Sequence, residues 1–286
     1  MNRQAFRCVH RLRVRWAEVD VQKIVFNAHY LTYADVAMAD YWRELALPYE
    51  AAMQALDGEV FLKKATVEYH ASARLDDMLD VGMRCTRVGN SSLGFECGIF
   101  AGDRLLVSVD LIYVFADAIK QIARRVPKGL RDAIEHFEAG HDMVTLTVGP
   151  WSEVGDQASM VRKAVFIEEQ GIAPEIEMDA LDATAVHAVA RNRLGMPVAT
   201  GRLLQDGPRE ARIGRMAVTR VLRGQRWGRA ILDALVDAAR ARGDTLITLH
   251  AQRSAEGFYR RAGFEVMGEP YEEAGIAHIT MQRTLD

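Results

Sequence analysis

The chain has 286 residues, more than one small core needs and enough for two domains of ordinary size. Hydrophobic residues make up 49% and charged residues 26%, the balance of a globular protein, which excludes a disordered or low-complexity chain. Its 36 basic and 39 acidic residues give a net charge of −3; cutting after Gly140 leaves 18 against 19, then 18 against 20, so neither half has the basic excess of a nucleic-acid binder.

The first 16 residues carry Arg3, Arg7, Arg11, Arg13 and Arg15 and lack the apolar run of a signal peptide. Val9, Leu12, Val14 and Trp16 predict a strand over residues 8–16. Residues 27–47 contain neither glycine nor proline, and Tyr30, Ala34, Ala37, Tyr41 and Leu45 recur at helical spacing, so this stretch is expected to be one long helix that Pro48 ends. Strand-like runs follow at 60–70, 78–88, 93–100 and 104–115, with Gly89-Asn90 and Gly102-Asp103 as turns. The last run is interrupted by Asp110 and is too short to span a bilayer, so no membrane partner is expected. A short amphipathic helix over 129–137 closes the half. One long helix and an antiparallel meander make an α+β layout in which the sheet must wrap the helix. Cys8, Cys85 and Cys97 are odd in number and share no metal-ligand spacing; they are expected to be reduced residues of the core, in a cytoplasmic protein without a metal.

Residues 138–142 form a polar break containing Gly140, which sets the expected domains at 1–139 and 143–286. Beyond it a strand is expected at 144–148, a helix at 153–170 and strands at 185–194, 198–204 and 212–218. A helix over 228–242, a strand over 245–250, a short helix over 255–262 and two strands, 264–267 and 276–282, complete the chain. The halves share no internal repeat.

In the first half the informative stretch is Glu18-Val19-Asp20-Val21-Gln22-Lys23-Ile24-Val25-Phe26-Asn27-Ala28-His29-Tyr30. It places a carboxylate seven residues before an asparagine at a predicted helix start, where backbone N–H groups and a positive dipole end are available. Thioester cleavage needs such a set: donors for the developing oxyanion and a carboxylate near the carbonyl carbon. Asn27 can also serve simply as the helix N-cap, Asp20 as a solvated loop carboxylate and His29 as a surface histidine. The stretch resembles the 4-hydroxybenzoyl-CoA thioesterase-like hotdog family, whose members carry an acid, any residue, then Asp, and usually a glycine before the helix. The likeness runs through Val67-Glu68-Tyr69, Leu75-Asp76-Asp77, Val88-Gly89-Asn90-Ser91-Ser92 and 122–127, covering about residues 7–137. It implies a hotdog domain acting on acyl-CoA, with Asp20 as the catalytic aspartate and Asn27 at a frequent active-site position. Asp20 would then be either the nucleophile, through a mixed anhydride, or the base for water. It also implies sites between subunits, hence a homodimer or larger assembly. Lys23 departs from the pattern, where glycine is usual, and can occlude the pocket or reach a CoA phosphate.

The second signal is Arg212-Ile213-Gly214-Arg215-Met216-Ala217-Val218 followed by Arg223-Gly224-Gln225-Arg226-Trp227-Gly228-Arg229. A strand feeds an arginine- and glycine-bearing turn that opens a helix, a geometry that points backbone N–H groups at a phosphate. Arg202, Arg209, Arg212, Arg215, Arg220, Arg223, Arg226 and Arg229 crowd this region with only Asp206 and Glu210 as acids. Downstream, Gly257-Phe258-Tyr259-Arg260-Arg261-Ala262-Gly263-Phe264 resembles the late motif of the GNAT N-acetyltransferase superfamily, and the 223–228 turn resembles its acetyl-CoA pyrophosphate loop. Val161-Arg162, Val165-Phe166 and Glu168-Glu169-Gln170 resemble the first helix of one bacterial subgroup, and the likeness covers about 144–285. It implies a GNAT-fold α/β domain with a mixed central sheet, acetyl-CoA as cofactor, the Met216-Ala217-Val218 backbone along the pantetheine arm and Tyr259 as the acid that reprotonates the thiolate. Arg226 departs from the pattern, which has glycine there. No base is evident; Glu168, Glu177 and His187 are candidates, a water relay is equally open, and His278 can be structural. The acidic stretch Glu175, Glu177, Asp179 and Asp182 can attract a cationic amine or stand as a solvated loop.

The expectation is a bifunctional enzyme, an acyl-CoA thioesterase fused to an acetyl-CoA-dependent N-acyltransferase with an unknown amine acceptor. The alternative is a thioesterase, or a hotdog dimerising scaffold, joined to a non-catalytic domain that senses acetyl-CoA.

Overall fold

The computed structural model describes residues 1–285; Asp286, the expected end of the second domain, lies outside them. The chain divides into two units, Met1–Met143 and one that begins at Val144. In the first, β1 (Cys8–Arg13), α1 (His29–Glu44), α2 (Tyr49–Ala55), β2 (Glu59–Tyr69), β3 (Met78–Val88), β4 (Ser92–Ala101), β5 (Arg104–Ala116) and α3 (Lys128–Glu138) follow in order. The sheet runs β1-β3-β4-β5-β2 and is antiparallel throughout. Helix α1 packs on β1, β3 and β5 and buries Tyr30, Ala34, Ala37 and Tyr41, as its spacing predicted, together with Tyr33, Met38 and Trp42, which the stripe did not include. Tyr41 meets Phe95 and Phe137 edge-on, each at 5.2 Å between centroids.

The predicted single helix over 27–47 is corrected at both ends. It begins at His29, and it stops at Glu44 because Ala46 turns into the left-handed region at φ 54°. Pro48 then caps a second short helix, α2, that the sequence reading did not anticipate: the proline that stops one helix has a φ of −66° that suits the start of the next. Cys8, Cys85 and Cys97 are buried and unpaired, and burial pushes all three thiols up, which keeps them protonated and unreactive.

The second unit contains β6 (Val144–Pro150), α4 (Trp151–Arg162), α5 (Pro174–Glu177), β7 (Val186–Asn192), β8 (Pro197–Gly207), β9 (Glu210–Val218), α6 (Trp227–Arg242), β10 (Leu246–Gln252), α7 (Glu256–Arg261), β11 (Glu265–Glu273) and β12 (Ile276–Thr284). The helix expected over 153–170 is α-helical only to Arg162 and continues as a wider π-helical segment, Lys163–Glu169. The sheet order is β11-β12-β10-β9-β8-β7-β6, and β9–β10, joined by the crossover helix α6, is its parallel pair. That pair positions the site: its register ends at Ile213↔Leu249, and beyond it the two strands part. On its other side β9 slips register against β8 between Thr200 and Arg202, leaving Arg215 and Met216 in a bulge. Arg215 there has φ 53°, a left-handed conformation unusual for a residue with a side chain. Among the described residues no helix is long and apolar enough to cross a membrane.

Candidate active sites

Residues 18–26 fold back on themselves as a miniature hairpin. The Asp20 N–H donates to Ile24 O, the Lys23 N–H to Asp20 O and the Phe26 N–H to Glu18 O, each at 2.9 Å, and Val19 bridges Val25. The half-buried Asp20 closes the turn, its Oδ1 accepting the Gln22 N–H at 2.8 Å. Lys23 occupies the left-handed region at φ 61°, the backbone state that glycine adopts freely. The missing glycine is therefore a real departure, and the turn holds its shape against a cost of about 1–2 kcal/mol.

What holds it is Glu18, which is 3% exposed. Its carboxylate accepts the Tyr33 hydroxyl, the Arg15 backbone N–H and the Arg15 Nε, all at 2.7 Å. Burial alone would raise this carboxyl, but the hydrogen bonds from Arg15 and Tyr33 outweigh it and hold it below the usual carboxylate range. The Val25 N–H donates to Ala73 O and the Ala73 N–H to the Tyr30 hydroxyl, both at 2.9 Å, which ties the hairpin to α1. The sequence offered one signal for Glu18, the acid two residues before Asp20; its role as the anchor of the loop was not legible there.

Asn27 is not the N-cap. That position falls to Ala28, which supplies no side-chain hydrogen bond, and Asn27 lies exposed in the preceding turn with its carbonyl accepting the Tyr69 hydroxyl at 3.3 Å. The reason is the Phe26 carbonyl, which takes the His29 N–H at 2.9 Å and begins the helical turn one step later. His29 is partly exposed at the first position of α1, making an edge contact with Phe26.

In the second unit the parted strands open a cleft of about 250 Å³, lined by Gly214, Arg215 and Met216 of β9 and by Leu249, His250 and Gln252 of β10. Tyr259 of α7 lines it as well; burial pushes its hydroxyl up to about 12, so it stays protonated through the neutral range. The hairpin of β11 and β12 supplies a further wall with Glu273, Ile276 and His278. Ala217 is buried against Val161, Val165 and Phe166, so its side chain belongs to the core and only its backbone is available.

The turn after β9 places Gly224 at φ 84°, the one position in it that demands glycine, whereas Arg226 has an ordinary helical φ of −76°. The loss of the usual glycine at 226 thus carries no backbone cost. Arg226 is the N-cap of α6 without a side-chain cap bond, Gln225 is half-buried, and Trp227 is buried with its indole N–H unpartnered. Gly228 sits against Val218, 3.3 Å from where a Cβ would lie. The arginines are less free than their sequence suggests. Arg223 grips Glu169 with two bonds of 2.7 and 2.6 Å and also donates to Val218 O, which holds Glu169 below the usual carboxylate range. Arg229 is paired with Asp233 one helical turn on.

A buried ion network, unanticipated from the sequence, underlies the cleft. Arg162, 1% exposed, donates to Glu177 at 2.6 Å and to Asp182 at 2.8 Å; Arg202 reaches Asp179 and Asp182, and Arg215 reaches Glu177 and Asp179. Three guanidinium groups thus meet three carboxylates, and the side chain of Arg215 anchors the strained bulge. The acidic stretch, read from the sequence as a solvated loop or a lure for a cationic amine, is instead consumed here, apart from Glu175, which stays exposed. His187, 1% exposed, hydrogen-bonds the Asp182 carbonyl at 3.0 Å, and burial lowers its pKa despite that partner. Glu168 is exposed, 3.7 Å from Lys163.

Comparison with known proteins places both halves. The family model of the Thioesterase superfamily matches residues 22–108, and that of the Acetyltransferase (GNAT) domain matches residues 157–285. The Acyl-CoA thioester hydrolase YbgC of Escherichia coli O6:H1 is 32% identical over 120 residues, which is 42% of this chain and 89% of that protein. The uncharacterized N-acetyltransferase YjcF of Bacillus subtilis is 34% identical over 128 residues, 44% of this chain and 89% of that protein. Among solved structures, Escherichia coli ElaA is 30% identical with a TM-score of 0.45, covering 49% of this chain and 99% of its own. The chain belongs to both families: it is a thioesterase-superfamily half fused to a GNAT acetyltransferase half.

Proposed function

We propose that the chain is a bifunctional CoA-thioester enzyme, hydrolysing acyl-CoA in its first half and transferring an acyl group from acetyl-CoA to an amine in its second. What supports the reading is, in each half, a side chain of suitable chemistry beside a suitable backbone feature: a carboxylate on the turn that precedes α1, and a hydroxyl lining the cleft of the second unit. In the first, Asp20 is fixed by its own turn and leads into a helix start without a side-chain cap. In the second, Tyr259 shares a cleft with the parted strands β9 and β10.

For hydrolysis, the Gln22 N–H fixes Oδ1 of Asp20 and directs the carboxylate as a unit. Asp20 attacks the thioester carbonyl or takes the proton of an attacking water, while the start of α1 offers its positive end to the oxyanion. Asn27, exposed beside that start, orients the thioester or the water through its amide. Phe26, Leu31 and Tyr69 around it remain 48%, 38% and 53% exposed, which supports a homodimer or larger assembly completing the site.

For transfer, the backbone of Met216, Ala217 and Val218 receives the pantetheine arm, and the 223–229 turn, with Gly224, Gln225, Trp227 and Gly228 supplying backbone N–H groups, receives the pyrophosphate. Arg223 must exchange Glu169 for phosphate, while Arg226 and Arg229 add positive charge. A proton moving from a hydroxyl near 12 to a thiolate of ordinary pKa, about 8.5, runs uphill, so Tyr259 acts chiefly by donating a hydrogen bond to the leaving sulfur. Three buried, unpaired thiols support a reducing, cytoplasmic setting.

Calorimetric titration of acetyl-CoA into the full chain tests the cofactor assignment. Saturable binding that Gly224→Val weakens at least tenfold is expected; no heat with a folded chain would overturn it.

A further inference from the structure

Acyl transfer to an amine needs a group that takes a proton from the attacking nitrogen, and the candidates visible in the sequence are badly placed for it. Glu177 is locked between Arg162 and Arg215, while Glu168 and His187 do not line the cleft. Resting on the transfer reading above, we propose that His250 is the base of that reaction and that Tyr271 positions it.

The placement follows from the sheet. Leu249 is the last β10 residue paired with β9, so His250 is the first residue beyond the point where the strands part. Alternation along β10 buries Ile247, Leu249 and Ala251 on one face and puts His250 with Thr248 and Gln252 on the other. His250 is exposed and lines the cleft, with Tyr259 in the same lining, so solvent can carry a proton away from it.

A second set of contacts fixes the ring. The Nδ1 atom of His250 hydrogen-bonds the Tyr271 hydroxyl. Tyr271 follows a register shift in β11 that begins at Met267, pairs across the hairpin with His278 and stacks on its ring at 6.1 Å and 24°. His278 is itself oriented by the Ile276 carbonyl, 2.8 Å from its Nδ1, which can only accept and therefore requires a proton on that nitrogen. The base role requires the tautomer in which Nδ1–H of His250 donates to the Tyr271 oxygen, which leaves the Nε2 lone pair of the neutral imidazole free. The charged and titratable groups sharing the cleft with His250 are Glu273, His278, Arg202, Arg212, Arg215, Glu177 and Tyr259; Glu177 and Arg215 neutralise one another, and Arg202 is paired with Asp179 and Asp182.

The step balances simply. The neutral amine's lone pair forms the C–N bond, the C–S bond breaks, and its electron pair leaves on sulfur under the Tyr259 hydroxyl. The surplus N–H proton passes to His250 Nε2 and on to solvent, and solvent returns one proton to the thiolate.

The experiment measures amine-dependent thiol release from acetyl-CoA by the full chain, as the increment over the amine-free rate, with spermidine, glucosamine and glycinamide as acceptors. His250→Gln, which keeps the size and a hydrogen bond but cannot titrate, should lower kcat about 100-fold. Acetyl-CoA affinity by calorimetry should stay unchanged, and added imidazole should restore part of the rate. The pH profile of the wild-type kcat/KM should carry an ascending limb that the variant lacks. Tyr271→Phe, which keeps the ring stack and removes the hydroxyl, should lose roughly tenfold, the worth of one hydrogen bond. A His250→Gln rate within threefold of wild type, or a loss tracking lost acetyl-CoA binding, overturns the base assignment alone. No amine-dependent release from the wild type overturns the transfer reading, and this inference with it.

Discussion

Two turns in this molecule each lack a glycine that their families usually carry, and the backbone treats the two losses in opposite ways. At Lys23 the residue stands at φ 61°, so the substitution keeps a glycine conformation without a glycine. At Arg226 φ is −76°, an ordinary helical value, and the demanding position is Gly224, which is retained at φ 84°. Both turns lead into helices whose starts, Ala28 and Arg226, lack a side-chain cap. The lesson is that a departure from a motif has meaning only through the φ it must occupy. The first turn carries its strain because the Glu18 clasp and the Ile24 and Ala73 hydrogen bonds over-determine it; the second carries none.

The comparison can be pressed hardest at the chemistry. Asp20→Asn keeps the turn, since an amide oxygen still accepts the Gln22 N–H, and should lower acyl-CoA hydrolysis by at least about 100-fold while leaving the unfolding midpoint unmoved. In the second unit, Arg162→Met strands Glu177 and Asp182 in the interior and should cost about 3–5 kcal/mol, read as lost hydrogen-exchange protection in β7 and β8. The same network makes a pH prediction. His187 has a lowered pKa in the folded state, so the unfolded chain binds the extra proton and stability falls as pH drops below the ordinary histidine value of 6.5. Glu177, whose carboxyl burial raises, works in the opposite sense at lower pH, so the test is the difference between the wild type and His187→Asn, whose profile should be flatter there. At the turns themselves, Gly224→Ala should cost about 1–2 kcal/mol because its φ is left-handed, whereas Arg226→Gly should cost less than about 1 kcal/mol. The smallest effect is a gain: Lys23→Gly should stabilise the first unit by about 0.5–1 kcal/mol, the strain released less the entropy glycine adds to the unfolded chain. A loss there would mean that the Lys23 side chain makes a contact worth more than its strain.

Much of this architecture was legible in the sequence because periodicity is local. The strand at 78–88 and the helix at 228–242 were read to within a residue, since alternation and the three-to-four spacing are properties of consecutive residues. What was hidden depends on neighbours far apart in the chain. Ala46 looks like any helix former until its φ is known, and Pro48 signals a stop without saying that it also begins α2. Asn27 carries the composition of a cap, but the Phe26 carbonyl shifted the helix start past it. Of the proposed site residues, Asp20 and Tyr259 stand out by motif; the Glu18 clasp, the occupation of Arg223 by Glu169 and the network around Arg162 require three-dimensional pairing over 15 to 54 residues. His250 lies in the stretch leading into the late motif, but its pairing with Tyr271, 21 residues on, is not legible in the sequence because a register shift brings the two together.

The central claim is that two separate chemistries act on CoA thioesters in one chain. It is tested most directly by thiol release from a panel of acyl-CoA substrates, with and without primary amines, for the wild type, Asp20→Asn and Tyr259→Phe. The account predicts a double dissociation: Asp20→Asn loses the amine-independent release and keeps the amine-dependent increment, and Tyr259→Phe does the reverse. Loss of both activities in either variant, or of neither in both, would contradict it.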